Sequence, residues 1–178
     1  MHFRHSSILA TAAFLVCAQT LVAQSPRRSL VGVFSGWASF RDAEPNRCYT
    51  IATPDDPPGT DAWAAVSAWP RRNVRGELHF RLSRAPRPGS AAILSIDDVP
   101  FTLATRGRDA WAATREGERA AVAAMRRGVD MRVRSRDERG RAFTNAYRLA
   151  GAASAIDAML IACAGDALAL SGPTGGAR

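Results

Sequence analysis

Apolar and polar positions alternate over much of this chain, and that two-residue period predicts strands. Val33 to Phe40 reads as one strand with Trp37 near its middle. Cys48 to Thr53 reads as a second, with Cys48 and Thr50 on one face and Tyr49 and Ile51 on the other. Pro54 to Asp61 holds three prolines and a glycine, so it is expected as loop. Ala62 to Trp69 is a third apolar run, stopped by Pro70. From Glu77 to Ser83, Leu78, Phe80 and Leu82 face one way, and Glu77, His79 and Arg81 face the other. Ala91–Ile96 and Phe101–Thr105 flank a turn-forming Asp97-Asp98-Val99-Pro100. Val129–Arg136 turns inward at Met131 and Val133, and Ala142–Leu149 returns beside it as a hairpin partner.

Two segments change to the helical period. Thr114 is placed to cap a helix over about Arg115–Arg127 that Gly128 ends. A last helix is expected over about Ser154–Ala164. Ser154 and Asp157 resemble a capping box, and Ile156, Met159, Leu160 and Cys163 form one apolar face. The fold class is therefore mainly β: an antiparallel sandwich or flattened barrel of about eight strands, with one short helix and a docked C-terminal helix.

The N-terminus follows a different pattern. His2, Arg4 and His5 precede an uncharged apolar run from Ile8 to Val16, and Leu21-Val22-Ala23 ends on a small residue. That order predicts a secretory signal over residues 1–23, cleaved after Ala23. No stretch is long and apolar enough to span a bilayer, which needs about 20 residues. One domain over 24–170, with a polar leader at 24–30 and a disordered Gly/Pro-rich tail at 171–178, completes the layout. Cys17 falls within the signal, with Val16 rather than a small residue before it, and is read as discarded.

Export leaves Cys48 and Cys163 to meet an oxidising compartment, where paired thiols persist as disulfides. A Cys48–Cys163 bond is expected, tying the second strand to the last helix. Two buried free thiols or a redox pair are the alternatives, the latter without Cys-x-x-Cys spacing.

The 178 residues carry a formal charge of +8, and arginine alone supplies the basic side chains. A basic surface attracts phosphates, lipopolysaccharide, acidic glycans or acidic proteins. Export argues against nucleic acid. Arg132, Arg134 and Arg136 share one strand face; Arg148 lies on the partner strand, and Arg139 and Arg141 lie in the turn. This set is the candidate anion-binding site, through bidentate guanidinium contacts. A charged, solvated sheet face that discourages edge pairing is the competing reading. Arg71, Arg72 and Arg75 form a weaker cluster.

Enzyme chemistry finds little support. Past the signal the only histidine is His79, on the polar side of its strand. A nucleophile relay needs a histidine beside the nucleophile, and zinc needs several clustered ligands. Asp55-Asp56 and Asp97-Asp98 are adjacent turn pairs, unsuited to a two-carboxylate hydrolase. Asp55, Asp56 and Asp61 match no calcium loop. No catalytic, metal or cofactor site is assigned, and no cofactor is expected. Trp37, Trp63, Trp69 and Trp111 lie in apolar runs and are read as core rather than as a carbohydrate platform.

These residues together resemble the invasion-associated locus B family of exported proteobacterial proteins. The likeness runs from about Val33 to Ala164. It is carried by Phe101-Thr102-Leu103, Asp109-Ala110-Trp111, Ala124-Met125 with Gly128, Met131-Arg132-Val133, Arg139-Gly140-Arg141, Tyr147 to Gly151 and the helix ending at Cys163. Gly36-Trp37 and Cys48 to Pro54 match the opening tryptophan and cysteine strand. A further cysteine common after that tryptophan is missing, which marks a divergent member. The resemblance implies a periplasmic or surface-associated protein, linked in some pathogens to host-cell entry, and no known reaction. The expected role is non-enzymatic binding of an envelope or host protein, or of an anionic glycan or lipopolysaccharide. An envelope hydrolase and a structural assembly factor are the alternatives.

Overall fold

The computed structural model describes residues 28–170, with side chains to 164. The expected signal at 1–23, its cleavage point and the tail at 171–178 lie outside the described residues. Among the described residues ten strands form one antiparallel sheet, accompanied by two α-helices. In chain order these are β1 Arg28–Phe34, β2 Trp37–Asp42, β3 Arg47–Ala52, β4 Trp63–Trp69, β5 Val74–Arg81, β6 Ala92–Ile96, β7 Val99–Arg106, β8 Asp109–Ala112, α1 Arg115–Met125, β9 Asp130–Arg136, β10 Ala142–Arg148 and α2 Ala152–Leu170. The sheet order is β1-β2-β3-β4-β5-β8-β7-β6-β9-β10.

The mainly β class and both helices are as the sequence implied, and the sheet stays open. The extra strands have local causes. The run from Val33 to Phe40 is not one strand but the β1–β2 hairpin, because Ser35 takes φ 53° and reverses the chain with Gly36. Residues 28–30, expected as leader, pair with β2 through Arg28↔Asp42 and Leu30↔Phe40. β8 is only four residues long, too short for its alternation to register in sequence.

Inward side chains of the sheet make the core, with Trp37, Leu78, Phe80, Leu94, Met131 and Val133 fully buried. α1 lays Ala121 and Met125 on it, and α2 adds Ile156, Met159 and Cys163. The Thr114 hydroxyl accepts a hydrogen bond from the Gly117 N–H at 3.0 Å, the expected cap. α2 starts earlier than the capping-box pattern indicates, so Ser154 lies within its first turn and Asp157 pairs instead with Arg126. Its start is set by Gly151, at φ 86°, where any Cβ would fall 2.1 Å from the Phe34 carbonyl oxygen.

Among the described residues β10 has no strand on its outer side. Asp55 N–H donates to the Ala146 carbonyl, and Ala146 N–H donates to Asp56 oxygen, both at 2.8 Å. The Trp37 indole of β2 donates to the Arg148 carbonyl at 3.0 Å. The sheet therefore curls until its two ends meet through a loop and a side chain rather than through strand pairing.

Candidate functional site

β9 presents the arginine row because its alternation is strict. Met131 and Val133 are buried, which turns Arg132, Arg134 and Arg136 to solvent. β6 runs alongside, with Ser95 opposite Arg132 and Ile93 opposite Arg134, and β10 places Ala146, Thr144 and Ala142 on the other side. Arg134 meets only the Ser95 hydroxyl, at 3.5 Å. Arg136 donates to the Gly140 carbonyl at 3.0 Å. Among the described residues neither forms an ion pair. Arg132 has a loose contact with Asp130, at 3.7 Å between two half-exposed groups.

The six arginines grouped from the sequence do not stay one set. Arg148 pairs with Asp55 at 3.4 Å, and its N–H donates to the same carboxylate at 3.0 Å. Arg141 is held by Asp137 at 3.0 Å, and Arg84 joins that carboxylate at 3.4 Å. Burial pushes the Asp137 carboxyl up, but hydrogen bonds from the Arg141 N–H and guanidinium and the Arg139 N–H outweigh it and hold the group below its ordinary value. Arg139 sits exposed in the same turn. The row of Arg132, Arg134 and Arg136 is thus the open part, while Arg141 and Arg148 are structural partners of buried or loop carboxylates.

A second constellation escaped the sequence reading. His79 is on the polar face of β5 as expected, yet it is only partly exposed. Its ring stacks on Trp111 of β8, with centroids 4.6 Å and planes 16° apart, and meets Trp63 of β4 edge-on at 4.6 Å. Nε2 lies 3.0 Å from Asp109 Oδ1, and Arg81 approaches the other Asp109 oxygen at 3.5 Å. No hydroxyl or thiol hydrogen-bonds the His79 ring among the described residues. Trp63 and Trp111 therefore belong to the outer face, not the core; only Trp37 is fully buried. The His79↔Trp111 register is the signal that was missing, since it depends on β8 pairing with β5 across more than thirty positions of chain.

The same outer face holds a cationic aromatic group nearer β1. Phe40 stacks on Tyr49 at 5.4 Å, and Arg47 lies 4.4 Å from the Tyr49 ring and 5.1 Å from that of Trp69. Cys48, on the inner side of the same strand, is bonded to Cys163 of α2, with Cα atoms 5.8 Å apart. The two cysteines are 115 positions apart, as paired from the sequence.

An open, curled antiparallel sheet with an inner helix stapled to it by one disulfide is the class of protein these features define. No protein-family model matches the chain, and no curated protein matches it. Among solved structures it is similar to the crystal structure of invasion associated protein B from Bartonella henselae, with a TM-score of 0.57 and 11% identity over 74% of this chain and 96% of that one. At that identity the likeness is one of fold, and it is to a protein of the family that the sequence resembles.

Proposed function

We propose that this chain is an exported, envelope-associated binding protein, without catalysis, whose β9 arginine row engages an anionic component of the envelope or of a host surface. The observation that carries this reading is the row itself. Arg134 and Arg136 project from a regular strand with no carboxylate partner among the described residues, unlike Arg28, Arg47, Arg108 and Arg141, each of which has one. Unneutralised guanidiniums at alternate positions are spaced by about 6.6 Å, the two-residue rise of a strand. A repeating anion satisfies them bidentately. The Cys48–Cys163 bond supports an oxidising compartment, and the likeness in fold to invasion associated protein B supports an envelope setting.

The test is binding of the purified protein to lipopolysaccharide and to heparin at rising salt. Replacing Arg132, Arg134 and Arg136 by Ser should weaken binding at least tenfold and flatten its salt dependence while the melting curve stays put. Unchanged affinity in that variant refutes the role of the row. Export is checked separately: the mature N-terminus should be Gln24.

A further inference from the structure

A cleft of about 770 Å³ opens where β5 and β8 meet the start of α1. It brings together Arg72 and Arg75 from the β4–β5 corner with Arg115 and Arg119 from the helix, and Trp111 forms part of its wall. None of these four arginines has an ion pair among the described residues. Two carboxylates, Glu77 and Glu118, line the cleft with them, so guanidiniums outnumber acids four to two along its wall. Glu118 accepts the Leu78 N–H at 3.0 Å, and Glu77 accepts the Trp69 indole N–H at 3.3 Å. Arg72 rests over Trp69, and Arg119 donates to the Arg115 carbonyl at 3.3 Å.

Arg115 and Arg119 are four apart on α1 and share a face, where like charges repel, while Glu116 and Glu118 in the first turn complement the helix dipole. Guanidiniums gathered without ion pairs in a concave site leave donors for an anionic ligand. The volume lies within the range of about 300–1,000 Å³ for small-molecule sites, well beyond what a bare oxyanion fills. Trp111 has one face committed to His79, and its remaining surface on the cleft supplies an apolar wall for a ring.

We propose that this cleft binds a small anionic saccharide, its acid group held by Arg75, Arg115 and Arg119 and its sugar ring set against Trp111. Uronic acids and sugar phosphates share that chemistry, planar or tetrahedral anion beside a ring with an apolar face. The site uses none of the β9 arginines and stands apart from the function proposed above.

Calorimetric titration of the intact protein at low salt separates the cases. The probes are digalacturonate, glucose 1-phosphate, neutral lactose and inorganic phosphate. At least one of the two anionic saccharides should bind saturably, with lactose silent and inorganic phosphate at least tenfold weaker. The relative strength of digalacturonate and glucose 1-phosphate tells carboxylate from phosphate. R115S/R119S should lose at least tenfold in affinity, and R134S/R136S should bind as the unaltered protein does. If the helix pair proves unstable, R75S on β5 serves the same purpose. The proposal falls if neither saccharide binds, if inorganic phosphate binds as tightly, or if R115S/R119S and R75S leave affinity intact. Loss in R134S/R136S alone would move the ligand to β9 and likewise overturn it.

Discussion

Asp42 shows how single charged side chains steady the outer face. Its carboxylate is largely buried between Arg28 and Arg47, each at 2.8 Å. Burial raises its proton affinity, but the hydrogen bonds and charges of the two guanidiniums more than offset that and leave the carboxyl below its ordinary value. A lowered folded value means the unfolded state binds the proton more tightly. The stabilisation is therefore complete above the unfolded value of about 3.9 and is lost as pH falls through the folded one. Asp42→Asn should cost about 1.5–3 kcal/mol at neutral pH, the range for hydrogen bonds to charged groups. Its denaturant stability should also fall less steeply than the parent's below about pH 4. Equal acid slopes in the two proteins would assign the acid response to other carboxylates. Asp97 belongs to the same scale: at φ 50° it turns the β6–β7 hairpin and accepts the N–H groups of Asp130 and Val129, which lower its proton affinity. The sequence identified that turn from residue type alone, because Asp tolerates left-handed backbone and bonds locally.

Among the elements, α2 depends most on a remote tie. Its inward residues Ile156 and Met159 pack on the sheet, the Ser39 hydroxyl donates to the Ala155 carbonyl at 2.9 Å, and Cys163 binds it covalently to β3. A closure of 115 positions contributes about 4–5 kcal/mol in the chain-entropy account. Replacing both cysteines by Ser should lower stability by up to that amount and speed amide exchange in α2 before the sheet strands. Uniform acceleration across α2 and β4–β5 would show that the helix is no separate unit. The helix and its cysteine were legible because an i, i+3, i+4, i+7 apolar face is a local signal, and the two cysteines past the expected signal leave one internal pairing. β8 and the β1–β2 turn were not, since a four-residue strand and a Ser-Gly reversal inside an apolar run disturb no local pattern. The candidate site divided the same way. Strict alternation disclosed the outward row of Arg132, Arg134 and Arg136, whereas Arg75 and Arg115 meet in one cleft only through the β5–β8 pairing.

At the scale of the whole molecule the governing feature is how an open sheet holds its curl. Strand order β5-β8-β7-β6-β9 departs from chain order, so no local pattern encodes it, and among the described residues β1 and β10 each pair with a strand on one side only. The curl is secured instead by the Asp55–Asp56 loop on β10 and by Trp37, which reaches 111 positions along the chain to donate to the Arg148 carbonyl. Trp37 is fully buried, so its ring also fills core volume on the inner side of β2. Trp37→Phe keeps most of that apolar volume but removes the donor and leaves a carbonyl unpaired. The cost should be about 1–3 kcal/mol for the orphaned acceptor, plus a smaller term for the lost ring volume. Because the bond joins the two ends of the sheet, the effect should be polarised: exchange quickens in the β10 amides near Tyr147 and Arg148, while the β6–β9 pairing keeps its protection. Asp55→Ala, which removes the acceptor of the Arg148 N–H, should produce the same pattern with a smaller amplitude, since that carboxylate is half exposed. If both substitutions loosen β9 as much as β10, the curl is held by the core alone, and the end-to-end bonds only decorate it.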